Sequence, residues 1–528
     1  MARKWRSALL IPVVLVVCAA LGGVFGPRVE VASAASEDDV RTSIRAFTKI
    51  YSVVEENFAD PVAPDKGIYK GAIPGMLRTL DPHSNFLDSR DFQNLREDQR
   101  GHYSGVGMQV QPRNGKTIVL APFPGSPAYK AGLRPGDVIM AVNDKPTDNL
   151  TTSEVADLLK GPKGTEVKIS IMREGNEKPI LFNVIRGDIP RKSVQDSFWL
   201  KPGIGYIDIE SFNETTSSEV EENLKKLGEQ NIQGLVLDLR SNPGGLLNEG
   251  VAVGDKFLHK GQTIVSHRGR ASAEKAYVAK RGNGGRDYPI VVLVNRYSAS
   301  AAEIVAGALQ DHDRGWIVGE NTFGKGLVQT VYPLSENTGL ALTTAKYYTP
   351  SGRLIQRDYS NVSFFDYYTH KDLEQKNSLD AQMTDSGRTV YGGGGIAPDE
   401  KFVIKLDKFQ VDISRRYPGF FNFTKKYFGP REAVLPKNWA PDQAILQDFH
   451  DFLLKEGVKF SEADWTEHLD WTRQNLKKEM YSTAFGMDEA RKVEVETDPE
   501  VAKAVESMPK ARALLDSAKR VVVQRLAR

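Results

Sequence analysis

The sequence is almost free of cysteine, because Cys18 is its only one and lies inside an apolar run near the amino terminus. No disulfide can form within the chain, so any domain outside the cytoplasm has to fold without covalent cross-links. An excess of charge of one sign is also missing: 70 basic residues stand against 68 acidic ones, and the net charge is +2. This balance gives no electrostatic case for a nucleic-acid partner. The 528 residues suffice for about three domains of ~150 residues each.

Several hydrolase signatures are absent as well. The sequence contains no G-x-S-x-G nucleophile elbow and no H-E-x-x-H zinc pair, so we expect neither a metal nor another cofactor. Residues 319–326 read G-x-x-x-x-G-K-G, but Gly326 stands where a phosphate-binding loop needs serine or threonine. Strand-like residues then follow where that loop needs a helix, which makes an ATPase a poor interpretation.

A serine and a lysine offer a different chemistry. Ser300 follows the apolar run 290–294 and precedes an alanine-rich stretch, which predicts a strand, a short turn and a helix. The hydroxyl would then lie at the carboxyl end of a strand, where α/β sheets present ligand-binding groups. Lys325 stands between two glycines, with Phe323 and Leu327 as apolar neighbours. A lysine accepts a proton only when neutral, so burial would have to lower its pKa from about 10.4 toward roughly 7–8.

Histidine is a poor alternative as the base, because a helix from Ala301 would place His312 about 18 Å along its axis from Ser300. Taken alone, such a Ser–Lys pair is most often structural. The surrounding residues, however, resemble the carboxy-terminal processing peptidases, also called tail-specific proteases, over roughly residues 40–400. Four blocks in the same order carry the resemblance: Leu80-Asp81-Pro82-His83-Ser84, Asp238-Leu239-Arg240-Ser241-Asn242-Pro243-Gly244-Gly245, Ser298-Ala299-Ser300-Ala301-Ala302-Glu303-Ile304 with Lys325 and Gln329, and Pro350-Ser351-Gly352-Arg353-Leu354-Ile355-Gln356.

The resemblance implies that Ser300 is the nucleophile, Lys325 the general base and Gln329 a residue that orients the lysine. The β-branched residues around Gln329 favour a strand, which would separate Lys325 from Gln329 by about 13 Å. Direct contact between the two side chains therefore requires a turn or a bulge near Gly326.

Acyl transfer also needs hydrogen-bond donors for the oxyanion of the tetrahedral intermediate. The N–H of Ala301 is one candidate, because it opens a helix directly after the nucleophile. Gly244 or Gly245 is the other, because a loop without side chains can approach a substrate carbonyl closely. An ordinary strand-to-helix turn is the alternative interpretation of these two glycines, and we prefer the oxyanion hole beside the family pattern.

Residues 99–187 resemble a PDZ domain. The segment Ser104-Gly105-Val106-Gly107-Met108 would capture the terminal carboxylate of a peptide through backbone N–H groups, and the strand that follows would pair with the peptide. Lys160 stands where related proteases carry an arginine that couples the PDZ domain to the active site. Lysine keeps the charge but lacks the planar fork of arginine, which puts that coupling in doubt.

The predicted fold class is a multi-domain α+β protein with a PDZ β-barrel-like domain, an α/β protease core, a helical N-terminal region and a helical C-terminal extension. We place a signal peptide or membrane anchor at 1–34, because basic residues precede a long apolar run and Ala32-Ser33-Ala34 offers a cleavage site. The other boundaries are 35–98 for the helical region, 99–187 for the PDZ domain, 188–400 for the protease core and 401–528 for the extension. In the extension we predict helices at 443–455, 462–480 and 501–528.

These features predict a serine endopeptidase that binds protein C-termini through its PDZ domain and cleaves near that end. Its partners would be protein or peptide substrates with free C-termini, and the resemblance allows a homodimer through the N- and C-terminal helices. We expect an extracytoplasmic location, in the periplasm or cell envelope, with membrane contact only through the N-terminal segment. The alternative is a catalytically silent PDZ scaffold, which need not have kept Ser300, Lys325 and Gln329 together.

Overall fold

The computed structural model describes residues 37–360, 362–369, 377–429 and 433–526. Its backbone divides into two compact units, residues 1–74 and residues 75–528. The predicted signal peptide or anchor at 1–34 lies outside the described residues, as does Cys18. Among the helices that the structure does describe, none is long and apolar enough to cross a bilayer.

The first unit and the segment after it are helical, as predicted. Acidic residues in the first turn of the opening helix complement its macrodipole. The helix before the PDZ domain has Asp88 as its N-cap, and the Asp88 side chain accepts hydrogen bonds from two backbone N–H groups of the first turn. Its C-cap is Gly101, which adopts the left-handed conformation. In chain order the elements are α1 (Glu37–Asn57), a π-helical segment (Asp65–Ala72), α2 (Ile73–Arg78), β1 (Asn85–Leu87) and α3 (Ser89–Arg100).

The PDZ segment is an antiparallel sheet packed against a capped helix. Five strands follow the order β3-β4-β5-β7-β8, so β3 lies at an edge, and β2 pairs with β9 outside this sheet. Buried aliphatic residues from strands and helix form one core. The elements are β2 (His102–Gly105), β3 (Met108–Arg113), β4 (Lys116–Pro122), α4 (Pro127–Ala131), β5 (Val138–Val142), β6 (Lys145–Pro146), α5 (Thr152–Leu159), β7 (Glu166–Met172), β8 (Ile180–Ile185) and β9 (Gly187–Pro190).

The protease core is built on a largely parallel sheet of order β10-β11-β12-β15-β16-β21, in which only β10 is antiparallel to its neighbour. A second sheet centres on β18, which pairs with β17, β1 and β13. The elements are β10 (Val194–Lys201), β11 (Ile204–Ile209), α6 (Thr216–Lys226), β12 (Gly234–Asp238), α7 (Leu247–Asp255), β13 (Thr263–Gly269), β14 (Ser272–Val278), β15 (Ile290–Val294), α8 (Ala301–Asp311), β16 (Gly315–Gly319), β17 (Leu327–Pro333), β18 (Gly339–Tyr348), α9 (Phe364–Thr369), β19 (Asn377–Met383), β20 (Thr389–Gly392) and β21 (Glu400–Lys401).

Both faces of the parallel sheet are covered, which explains why its central strands are continuously apolar. Side chains alternate between the faces, so Leu235 and Leu237 of β12 pack with the core helices while Val236 points the other way. On that second face lie Val501 and Met508 of the C-terminal extension. The sequence did not predict that the extension covers this face.

The extension also has an aromatic core of its own. The predicted helix 443–455 is present, whereas the other two predicted helices each divide, at His468 and at Ser507. The elements are α10 (Lys408–Val411), a π-helical turn (Asp412–Arg416), α11 (Gly419–Phe428), α12 (Gln443–Lys455), α13 (Glu462–Glu467), α14 (Leu469–Ala484), α15 (Met487–Glu496), α16 (Pro499–Glu506) and α17 (Met508–Leu526).

Candidate active site

Ser300 occupies a strained turn between β15 and α8. Its backbone has φ 55° and ψ −114°, a region that residues with a side chain rarely adopt and that costs about 1–3 kcal/mol. The turn is held from both sides: Ser298 Oγ donates to Leu239 O at 2.7 Å, and Ala299 N donates to Asn242 O at 2.9 Å. The result is a sharp strand–turn–helix like a nucleophile elbow, although the G-x-S-x-G sequence is absent.

Glu303 joins this turn to the lysine loop. Its buried carboxylate accepts from Ser300 N and Lys325 N on one oxygen, both at 2.8 Å. The other oxygen accepts from Gly324 N at 2.7 Å and Thr322 Oγ1 at 2.5 Å. Burial raises the pKa of Glu303, whereas these hydrogen bonds favour its charged form. Sequence reasoning missed this residue, although its position three residues after Ser300 has the spacing of a capping box.

Lys325 and Gln329 are in direct contact, because Lys325 Nζ donates to Gln329 Oε1 at 2.9 Å. The register of β17 against β18 shifts between Val328 and Gln329, so a bulge is present in this strand pair, with its extra residue on β18 rather than at Gly326. Within the described residues no hydrogen bond joins Lys325 Nζ to Ser300 Oγ, although both residues line one cavity. Catalytic hydrogen bonds often tighten only when substrate is bound.

The Leu80–Ser84 block supports Gln329 from behind. Gln329 Nε2 donates to the His83 carbonyl at 2.5 Å. Asp81 Oδ1 fixes that turn by accepting from the N–H groups of His83 and Ser84, each at 2.8 Å. Burial, with a further contribution from the charge of Lys325, lowers the pKa of His83 to about 4, which leaves its imidazole a weak base. The block thus contributes a backbone carbonyl to the site.

Burial also lowers the pKa of Lys325, which is the direction that a general base requires. The charges of Glu303 and Asp81 act in the opposite sense and moderate the shift. At a given pH a larger fraction of Lys325 is therefore neutral here than it would be in water.

The three predicted oxyanion donors are not equivalent. Gly244 N donates to Asn242 Oδ1 at 2.7 Å, so this N–H is already used. The N–H groups of Gly245 and Ala301 have no acceptor within the part of the chain that the structure describes. Gly244 still lies against the nucleophile: a Cβ there would stand 2.7 Å from Ser300 Cβ, on a backbone with φ 92°. The structure thus shows Gly244 in close approach to the nucleophile with its N–H already engaged.

One cavity of about 520 Å³ brings these groups together. It contains Ser300, Lys325 and Gln329, and the loop of Gly244 and Gly245 forms part of its wall. Much of the remaining lining is apolar, with Leu95, Phe212, Leu246, Leu247, Leu327, Val328 and Val331. An extended peptide with apolar side chains would fit such a surface.

The predicted carboxylate-binding segment divides between a strand and a turn. Ser104 and Gly105 belong to β2 and pair with β9. Val106 and Gly107 form the turn, and among the described residues their N–H groups have no acceptor. Met108 opens the edge strand β3. The two free N–H groups therefore lie beside an unpaired strand edge.

Lys160 connects the PDZ segment to helix α3. Its Nζ donates to Glu97 at 2.8 Å and to Asn94 at 3.0 Å. Asp98 and Gln99 of the same helix line the catalytic cavity. One ammonium group thus reaches two acceptors on an element that also borders the active site.

Comparisons with known proteins agree with this architecture. The sequence model of peptidase family S41 matches residues 203–361, and that of the PDZ domain matches residues 118–173. The carboxy-terminal-processing protease of Bartonella bacilliformis is 40% identical over 326 residues, which is 61% of this chain and 74% of that protein. The processing protease CtpB of Bacillus subtilis is 32% identical over 359 residues, 67% of this chain and 74% of that protein.

Among solved structures, a photosystem II D1 C-terminal processing protease is 30% identical and has a TM-score of 0.36, with 69% of this chain and 89% of that chain covered. The identity and coverage of the Bartonella relative suffice to assign the family. The chain is therefore a member of the carboxy-terminal processing proteases, serine peptidases of family S41 that here carry a PDZ domain.

Proposed function

We propose that this protease binds the carboxy terminus of a protein substrate through its PDZ domain and cleaves the polypeptide near that end by a Ser–Lys mechanism. The observation that carries the proposal is the shared support of Ser300 and Lys325. A single buried carboxylate, Glu303, accepts from the backbone N–H groups of both residues. Both residues line the same cavity.

In this mechanism neutral Lys325 takes the proton of Ser300 Oγ as the oxygen attacks the scissile carbonyl. The carbonyl oxygen gains negative charge and receives hydrogen bonds from the N–H groups of Gly245 and Ala301, each donor contributing about 2.7–4 kcal/mol in the transition state. The lysine ammonium then gives its proton to the departing amine, and an acyl-enzyme remains on Ser300. Water, deprotonated by the same lysine, releases the acyl group and restores the serine.

Gln329 serves this cycle as a positioning residue. Its amide oxygen accepts from Lys325 Nζ, and its amide nitrogen is anchored on the His83 carbonyl. These two hydrogen bonds hold the long lysine stem in one orientation at little further entropic cost. Gln329 makes both contacts at the point where the register of β17 against β18 shifts.

Substrate recognition would use the turn at Val106 and Gly107. Two free N–H groups suit a terminal carboxylate, and the unpaired edge of β3 suits an extended peptide added as a strand. Helix α3 then offers a direct path to the catalytic cavity through Lys160 and Glu97. A peptide held in this way would present an upstream bond to Ser300 at high effective concentration.

We also propose an extracytoplasmic location, on the basis of residues 1–34, and a homodimer, on the basis of the family resemblance. They imply a protease that meets its substrates in the cell envelope. Export would be tested by locating the protein in fractionated cells.

The central test is cleavage of an unfolded protein that ends in apolar residues. We expect the parent protein to cut it and Ser300→Ala and Lys325→Ala to leave it intact. Lys346→Ala is a matched control, because Lys346 is an exposed lysine on the neighbouring strand β18. Cleavage surviving in Lys325→Ala would contradict the mechanism, and a wholly inert parent would favour the silent scaffold.

A second comparison isolates the role of the PDZ domain. A peptide with a free carboxylate should be cut faster than the same peptide with an amidated end, because only the free form offers the anion that the two N–H groups accept. Equal rates for both peptides would contradict carboxylate recognition while leaving the Ser–Lys mechanism intact.

A further inference from the structure

The C-terminal extension reaches the catalytic domain through an ion-pair cluster as well as through apolar packing. Arg240 lies just after β12, and its guanidinium forms ion pairs with Asp238 on its own loop and with Asp498 and Glu500 of the extension. The Arg240–Asp498 distance is 2.7 Å. Only 16% of the arginine side chain is exposed, and 17% of each extension carboxylate. The contact is therefore largely removed from solvent, where an ion pair is screened little.

The two carboxylates are presented by the start of helix α16. Asp498 is its N-cap and accepts from Glu500 N at 2.7 Å, so the Asp498 side chain is fixed by the helix start and Glu500 lies in the first turn. Apolar contacts of Val501 and Ala504 with the central sheet hold the helix in place. The extension thus delivers two negative charges at a defined point behind the sheet.

Arg240 belongs to the loop that shapes the active site. Its neighbour Ser241 donates its N–H to Asn295 Oδ1 at 2.9 Å, although Ser241 has φ 58°. Asn242 accepts from Ala299 N through its carbonyl and from Gly244 N through its side chain. The same short loop therefore runs from the ion-pair cluster to the turn that carries the nucleophile.

We propose that Asp498 and Glu500 are positioning residues for catalysis, which act through Arg240 to hold the 239–245 loop against Ser300. This inference rests on the proposed Ser–Lys function. The extension then contributes to the active site, since its carboxylates hold Arg240 in the same loop that contains Gly244 and Gly245. A loop freed at Arg240 would still fold, but its N–H groups would meet the oxyanion less accurately.

The test removes the two charges and keeps the shape. In the double variant Asp498→Asn, Glu500→Gln the helix retains its cap, because asparagine caps as well as aspartate. Misplacement of a catalytic group by 1 Å can cost about 100-fold, so we expect a partial loosening to lower kcat about tenfold while KM stays within about twofold. The conservative variant Glu500→Asp, which keeps both negative charges, should retain most of the kcat that the double variant loses.

Lys503→Gln is the matched control. Lys503 lies on the same helix and is 20% exposed, but it pairs with Glu400 at 3.0 Å and with Glu506 rather than with the loop. It should lose a similar small amount of thermal stability and keep the kcat of the parent. If the double variant fails to fold, Glu500→Gln alone carries the same comparison, because it leaves the cap Asp498 in place.

Hydrogen exchange separates this inference from the proposed function. In the double variant we expect faster exchange at the amides of Ser241, Gly244 and Ala299, and no change there in Lys503→Gln. A double variant with the kcat of the parent, or with unchanged exchange at these amides, would overturn the inference. An inactive parent would contradict the Ser–Lys proposal instead, and the exchange measurement would still decide whether the extension holds the loop.

Discussion

At the scale of single residues, Glu303 carries the most consequential set of contacts in the site. It is fully buried, and each of its two oxygens accepts two hydrogen bonds. A carboxylate can do this because it is acceptor-only on both oxygens. The strained Ser300 backbone and the lysine loop therefore depend on one side chain.

Glu303→Gln should weaken both parts of the site. Its NH2 group would face either Gly324 N or the pair Ser300 N and Lys325 N, leaving at least one buried donor unsatisfied at a cost of about 1–3 kcal/mol. We expect a matching loss in the free energy of unfolding, measured in urea, and a fall in kcat of more than about tenfold. Glu320→Gln, which removes a carboxylate paired with Arg296 nearer the surface, should change stability by less than about 1 kcal/mol.

The protonation of Lys325 predicts a rate that rises with pH. Only neutral lysine can accept the serine proton, and burial lowers its pKa below the ordinary value of 10.5. The logarithm of kcat/KM should therefore climb by about one per pH unit below the pKa of Lys325 and level off above it, with the bend between the two lying below pH 10.5. A profile that falls as the pH rises through this range would contradict the lysine base.

At the scale of elements, the loop after β12 shows how closely two backbones must approach. Gly244 packs on the Ser300 turn, and a Cβ there would stand 2.7 Å from Ala299 O and 2.9 Å from Ala301 N. These are backbone atoms of a strained turn and cannot move aside cheaply. The Pro-Gly-Gly sequence is thus explained by steric contact at both glycines, because a Cβ at Gly245 would stand 2.0 Å from Phe212 O.

Gly244→Ala and Gly352→Ala form a matched pair that isolates this contact. Both glycines have positive φ, 92° and 88°, but a Cβ at Gly352 would meet nothing within 4 Å. Both variants should lose about 1–3 kcal/mol of stability from backbone strain, and Gly244→Ala should lose more because its Cβ also meets the backbone of the Ser300 turn. Only Gly244→Ala should also lose kcat, by at least about 100-fold. Equal activity in the two variants would show that the approach to Ser300 is not needed.

Much of this element could be predicted from sequence, because local signals specify it. The apolar run 290–294 and the alanines after Ser300 were enough for the strand, the turn and the helix. The φ of Ser300 was not predictable, since serine has no preference for that region and long-range hydrogen bonds impose it. The Lys325–Gln329 contact likewise depends on a bulge that the pairing with β18 creates, and the free N–H at Gly245 depends on which neighbouring groups already bond.

At the scale of the whole molecule, the extension turns a half-covered sheet into one with two buried faces. Val236, Val291 and Leu293 point toward it, and Val501 and Met508 cover them. Helical periodicity indicates that such helices are buried on one side, but it does not specify their partner. The alternation of strands and helices in the core could be predicted, because local sequence patterns specify it. The docking of the extension could not, because it depends on contacts between residues far apart in the sequence.

Val501→Asp should therefore destabilise the whole second unit. Val501 is 2% exposed, and an unpaired carboxylate in that position would lose hydration without a partner. We expect a loss of about 3–5 kcal/mol in the free energy of unfolding. Val434→Asp, at a position 75% exposed in the same extension, should stay within about 0.5 kcal/mol of the parent. A small effect of Val501→Asp would mean that the extension is only loosely attached.

The hydrogen bond between Gln329 and the His83 carbonyl has a consequence for the order in which the protein is made. The two residues are 246 positions apart, and β1, which directly follows His83, pairs only with β18. Synthesis proceeds from the amino end, so a growing chain that already displays Ser300 still lacks the strand against which the base is oriented. The catalytic geometry therefore cannot form before translation has passed β18, which ends at Tyr348.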